Sequence, residues 1–160
     1  MNFTEQKLTS IQAPTLCATL SKLHLNRNTS RAIIFGPPCY CGIQLPTLPT
    51  TKGIDHLTLM LGHLRSQDEI ADLIYIDLSM LQLYTGSCTF FLHLPFPTYQ
   101  KWMECGWLMS IWDFVSSSSI KLYVNNIFLP KPCCENDRAL MDVVIQLGLS
   151  RKELLLLNLC

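Results

Sequence analysis

Charge is what this chain has least of. Only 15% of its 160 residues are charged, and 12 Lys and Arg balance 12 Asp and Glu, whereas ordinary soluble chains run about a quarter charged. A neutral whole weighs against tight autonomous binding to phosphate backbones, because that affinity is largely electrostatic. The motifs that announce chemistry are missing as well. There is no phosphate loop of the Gly-x-x-x-x-Gly-Lys-Ser type, no His-Glu-x-x-His, no Gly-x-Ser-x-Gly elbow and no dinucleotide-binding glycine pattern. The longest nearly continuous apolar run, Leu154 to Cys160, falls far short of the roughly 18 residues of a membrane span. Met1 to Lys7 has no basic region followed by an apolar stretch, so no secretory signal is read there and an intracellular setting, cytoplasmic or nuclear, is expected.

Cysteine is plentiful, at eight, but its spacing is wrong for a metal. Cys39-Tyr40-Cys41 and Cys133-Cys134 are the close pairs, and neither has the gap of a zinc knuckle. A mixed site from Cys39, Cys41, His56 and His63 is the one alternative; loop thiols and partly exposed histidines are the favoured reading. Cys17, Cys88 and Cys105 sit among apolar neighbours and read as small core residues. A reducing compartment leaves all of these as free thiols. No metal and no cofactor are expected.

Apolar residues make up 49% of the chain, enough for one core and for some surface left to a protein partner. Their spacing is helical. Pro14 suits a first turn, with Leu16, Leu20 and Leu23 following and an end near Asn26. Ala32 to Phe35 is either a helical turn or a short strand, and Gly42 reads as a turn residue with unusual backbone angles. Pro46 to Pro49 reads as an irregular crossing. Ile54, Leu57, Leu61 and Leu64 form one buried stripe. Ser66-Gln67-Asp68-Glu69 has the form of a capping box, opening a helix through Ile70, Leu73, Ile74, Leu78, Leu81 and Tyr84 that stops at Gly86. A long helix is predicted from Tyr99 to about Ser116, with Trp102, Trp107 and Trp112 packing a core in preference to stacking on bases. Ile120 to Val124 alternates as a short extended segment would, with a hairpin around 120–128 as the option. Asn136 or Asp137 can cap a helix that ends at Gly148, and Ser150 to Glu153 is a second capping box. The fold class is therefore all-α, an irregular bundle of about five to six helices in one domain, 1–160. Ser116–Ser119 is the joint at which lobes 1–115 and 120–160 would separate.

Tyr75-Ile76-Asp77-Leu78 looks like the tyrosine-x-aspartate-aspartate element of a polymerase. Leu78 removes the second carboxylate that two magnesium ions need, so a helix turn with Asp77 at its polar edge is expected, and catalysis is not. The basic residues gather at one end. Residues 1–35 carry Lys7, Lys22, Arg27 and Arg31 against Glu5, whereas 36–100 carry Lys52 and Arg65 against five acids. Lys22, Arg27 and Arg31 are the candidate phosphate contacts; a solvated helix end and loop is the plainer reading.

One series of words runs along the whole chain: Asn26-Arg27…Ser30-Arg31, Phe35-Gly36-Pro37…Gly42-Ile43, Lys52-Gly53-Ile54, Leu81-Gln82-Leu83…Gly86, Trp107-Leu108…Ile111-Trp112-Asp113-Phe114, Glu135-Asn136-Asp137-Arg138…Met141-Asp142 and Asn158-Leu159-Cys160. Together they resemble the helical segment downstream of the reverse-transcriptase core in retroelement polyproteins. The resemblance implies a thumb-like or connecting module without fingers, palm or nuclease. Its expected partners are an RNA or DNA template-primer duplex and the polymerase core, with no membrane. In that family paired glycines stand where this chain has Cys41-Gly42, an arginine stands at Cys134, and the chain continues past Cys160. Those departures give the look of an eroded or excised copy.

Overall fold

The computed structural model describes residues 5–104, 106–131, 134 and 138–157. They are all-α: eight helices and three 3₁₀ turns, with no strand among the described residues. Six helices run seven residues or more, in line with the irregular bundle expected. The chain divides into two compact units, Met1–Asp55 and His56–Cys160. The division falls inside a helix, and Ser116–Ser119 lies within the second unit.

In the first unit, α1 (Glu5–Lys22) begins well before Pro14, which is an interior residue and not a first-turn one. Proline there removes one backbone donor from the helix ladder. The helix is tied down beside it: Gln12 accepts from the Leu48 N–H at 3.2 Å and donates to the Pro46 carbonyl. It ends short of Asn26 because His24 adopts a left-handed conformation, φ 56°, and the Leu25 N–H returns to the Leu20 carbonyl at 2.9 Å, the closing bond of a Schellman-type cap. Residues 32–35 resolve as helix, within the single turn α2 (Arg31–Phe35).

After a 3₁₀ turn at Pro38–Tyr40 the chain doubles back. The N–H groups of Ile43, Gln44 and Leu45 bond to the carbonyls of Ile33, Gly36 and Ile34 at 2.8–3.0 Å. Gly42 does not have the positive φ expected of it; Cys41 has, at 60°. Gly42 is needed for a different reason, since a Cβ there would run into the Gly36 backbone. The expected crossing at Pro46–Pro49 is shorter, because α3 (Leu48–Ser66) already includes Pro49 in its first turn. Thr47 caps it, its hydroxyl accepting from the Thr50 N–H at 3.3 Å. Ile54 is exposed, so the predicted stripe starts only at Leu57.

The second unit takes up α3 from His56, where Met60 is fully buried and Leu57, Leu61 and Leu64 pack against the core. The next helix, α4 (Glu69–Thr85), is capped by Asp68 and not by Ser66: Asp68 Oδ1 accepts from the Ala71 N–H at 2.9 Å. Ser66 is still inside α3, which leaves Asp68 as the first oxygen in reach of α4's free amides. Gly86 closes α4 in the left-handed conformation expected. Beyond it Gln82, wholly buried, fixes the turn with bonds to the Ser87 and Thr89 carbonyls and to the Phe91 N–H.

The long helix predicted over 99–116 is broken. Instead α5 (Phe96–Tyr99) runs into a 3₁₀ turn at Gln100–Trp102, and α6 (Trp107–Ser117) starts after Gly106. Trp102, at the end of that turn, donates its indole N–H to the Leu149 carbonyl at 2.9 Å. Trp112 is the hub of the core: fully buried, with Phe91, Phe96 and Tyr99 around its ring at centroid distances of 5.1–5.8 Å and its N–H on the Leu94 carbonyl. Burial, with Asp142 adding its charge, raises the Tyr99 phenol above its ordinary 10.0. Ile120, Leu122 and Val124 pack inward while Lys121 and Tyr123 face out, yet no hairpin forms; His93 Nε2 meets the Leu122 carbonyl instead. The last two helices are α7 (Leu140–Leu147) and α8 (Arg151–Leu157). Ala139 precedes α7, and the proposed caps Asn136 and Asp137 lie outside the described residues. Gly148 ends α7, and the Ser150–Glu153 capping box forms in both directions.

Candidate interaction surface

Every turn of α4 carries apolar residues, so the helix has two faces to satisfy. Ala71, Ile74, Leu78, Gln82 and Thr85 are buried. On the opposite side Leu73, Ile76, Met80 and Leu83 are 63%, 58%, 47% and 57% exposed. The helix expected from the sequence runs through both Leu73 and Ile74 without assigning either to a face. Leu73 belongs to the outer row, whose steps of three, four and three residues make a straight seam along a helix. Asp72 and Asp77 flank that seam, and α4 carries no Lys or Arg.

Beside the seam is a cavity of about 420 Å³. Asp77, Met80, Leu81 and Tyr84 line it from α4, Trp107, Leu108 and Met109 from α6, and Leu154 from α8. Two charged residues join them, Glu104 and Arg151, which pair with one another. Sequence reasoning missed both the cavity and this pair, since 47 residues separate the partners.

Tyr75–Leu78 is an interior turn of α4, with Leu78 fully buried and Asp77 exposed. Lys22 ends α1, Arg27 lies in the following loop and Arg31 opens α2. All three are exposed in the first unit. Asn26 shapes the loop between them, its Oδ1 accepting from the Asn28 N–H at 2.9 Å. Among the proposed thiol and imidazole ligands, Cys39 and Cys41 are exposed in the first unit, while His56 and His63 belong to the second. His63 Nδ1 lies 2.7 Å from Asp68 Oδ2. That contact, before the amide and hydroxyl bonds from Ala71 and Ser66, holds the Asp68 carboxyl below its usual 3.8. Among the described residues no group of three or more metal-binding side chains comes together. Cys17 and Cys88, read as core residues, are exposed; Cys105 lies outside the described residues.

No helix among the described residues is long and apolar enough to cross a membrane. Comparison with models of known families, with curated proteins and with solved structures finds no match for this chain.

Proposed function

We propose that this chain is a non-catalytic helical module that acts by binding, descended from the segment downstream of a retroelement reverse-transcriptase core and comparable to a thumb or connection domain. The observation that carries the binding is the outer face of α4, a row of large apolar side chains left in water at an energetic cost that a partner would remove. The origin is supported by where the shared words fall. Gly36 and Gly42 meet backbone to backbone, Gly86 caps α4, and Gln82 organises a buried turn. Cys41, standing where the family has a glycine, holds the left-handed conformation that glycine tolerates best.

In this reading Lys22, Arg27 and Arg31 touch the phosphates of a template-primer duplex while α4 docks on the polymerase core. The second reading is a protein-binding scaffold with no nucleic-acid role, favoured by zero net charge and by the acids along α4. Binding to an RNA–DNA duplex, followed by anisotropy in rising salt, separates the two. The first reading expects weak, steeply salt-dependent binding, with Lys22→Ala, Arg27→Ala and Arg31→Ala together reducing the logarithmic salt slope by about 2–3. Salt-insensitive or absent binding leaves the scaffold. In the same mixture, with nucleotides and magnesium, no primer extension is expected; extension that tracks the protein and vanishes in Asp77→Asn would overturn the non-catalytic role.

A further inference from the structure

We infer that the outer face of α4 receives a cationic amphipathic helix of another protein, one of whose large apolar side chains enters the adjoining cavity. This deepens the docking role proposed above and rests on it. Leu73, Ile76, Met80 and Leu83 follow the alternating three- and four-residue step that a straight partner helix needs for knobs to enter holes. In that register Asp72 and Asp77 take the two flanking positions, one on each side of the seam, and Glu69 continues the seam at its N-terminal end. Those are the positions whose charges choose a partner.

The acids also say which partner is refused. In a parallel pair of identical helices Asp72 would face Asp77 of the second copy; in an antiparallel pair each would face its own counterpart. Like charges across a seam are repelled in either case, so self-pairing through this face is disfavoured and a helix with Lys or Arg at its flanks is selected. An RNA backbone is disfavoured for the same reason. Two heptads of seam are short for a stable pair on their own. The cavity makes good that shortage. Met80, Asp77 and Tyr84 belong to the seam side of α4 and to the cavity lining at once, so a helix on the seam brings one side chain to the opening. At about 420 Å³ the space takes an aromatic ring between Trp107, Met109 and Leu154, the arrangement in which a single buried anchor carries most of an interface.

The test uses the full chain and dye-labelled synthetic helices with Leu at the seam, one Trp anchor, and either Lys or Glu at all flanking positions, followed by anisotropy. The Lys helix should bind with a Kd on the order of 10 µM and the Glu helix at least about tenfold more weakly. Replacing the peptide's Trp by Ala should weaken binding by a similar factor. Asp72→Lys with Asp77→Lys should reverse the preference; both positions are exposed, and circular dichroism checks that the helices persist. Leu73→Glu with Met80→Glu should abolish binding of every peptide. Equal binding of Lys and Glu helices, lost in the Leu73→Glu, Met80→Glu protein, would overturn the charge class while leaving α4 as the docking face. Binding that survives the Leu73→Glu, Met80→Glu change would place the peptide elsewhere and overturn the inference, and no binding of any peptide would remove the docking role with it. Sedimentation that finds a dimer dissolved by Leu73→Glu would put a second copy on the seam and overturn it too.

Discussion

The two units of this chain are held together by different physics. His56–Cys160 gathers its stability around Trp112, with Phe91, Phe96 and Tyr99 on the ring and Ile111, Val115, Met141 and Val144 sealed from water. Among the described residues of Met1–Asp55 the buried apolar side chains are Leu20 and Ile34, and the chain is shaped by bonds: Gln12 to residues 46 and 48, Asn26 to its own loop, and residues 43–45 back to 33–36. Hydrophobic stabilisation grows with apolar area removed from water, whereas a hydrogen bond contributes about 1 kcal/mol net. A unit resting on the second kind of support opens locally at lower cost.

Breaking the core side of this comparison should have the largest effect. Trp112→Ala removes the hub of the aromatic cluster and its bond to the Leu94 carbonyl, and should destabilise the second unit by about 3–5 kcal/mol. Chemical denaturation followed by the fluorescence of Trp102 and Trp107 measures it. A loss under about 1 kcal/mol would mean the cluster repacks and is no hub.

The bond-held unit should break from a single methyl group. Gly42→Ala pushes a Cβ into the Gly36 backbone and should undo the return of residues 43–45. The readout is faster tryptic cleavage at Arg27 and Arg31 with unchanged tryptophan emission, since all three tryptophans belong to the second unit. The neighbouring Cys41→Gly should act the other way. Relief of a left-handed cysteine is worth about 1 kcal/mol, so cleavage at the same sites should slow.

Much of this was legible in the sequence, and the larger misses are non-local; the cap of α4 and the place of Pro14 are the local exceptions, because α3 runs on through Ser66 and α1 starts before Pro14. Gly86, Gly148 and the Ser150–Glu153 box were read correctly because a cap is a local device: the residue and the backbone group it serves lie within one turn. The all-α class followed from apolar spacing in the same way. The faces of α4 were not legible, because a helix with apolar rows on two opposite sides has no single stripe to say which row meets the core. The indole beside the break after Trp102 bonds to the Leu149 carbonyl, 47 residues away, and the true role of Gly42 depends on Gly36 lying against it. The cavity is a product of three helices, α4, α6 and α8, and had no signal in any one of them. Lys22, Arg27 and Arg31 were read as a group from local charge, and the chain does keep them exposed within one unit.

The smallest expected effect lies at the α3–α4 junction, where a carboxylate supports the core-bearing unit by the kind of bond that shapes the other. Asp68 caps α4 and meets His63, and its carboxyl is held below 3.8 in the folded chain. A group depressed on folding contributes stability that is complete above its unfolded value and is lost as pH falls through its folded one. The contribution of Asp68 should thus be present at neutral pH and fade below 3.8. Glu153, lowered by its bonds to Ser150, should add a loss of the same sign. Asp68→Asn keeps a capping oxygen without the titration, so the variant should lose less stability than the parent between neutral and strongly acid pH. Thermal melts of both proteins across that range supply the comparison. Parallel acid profiles would show that the charge of Asp68, in its contact with His63 and in its bonds to Ala71 and Ser66, does not favour the folded state.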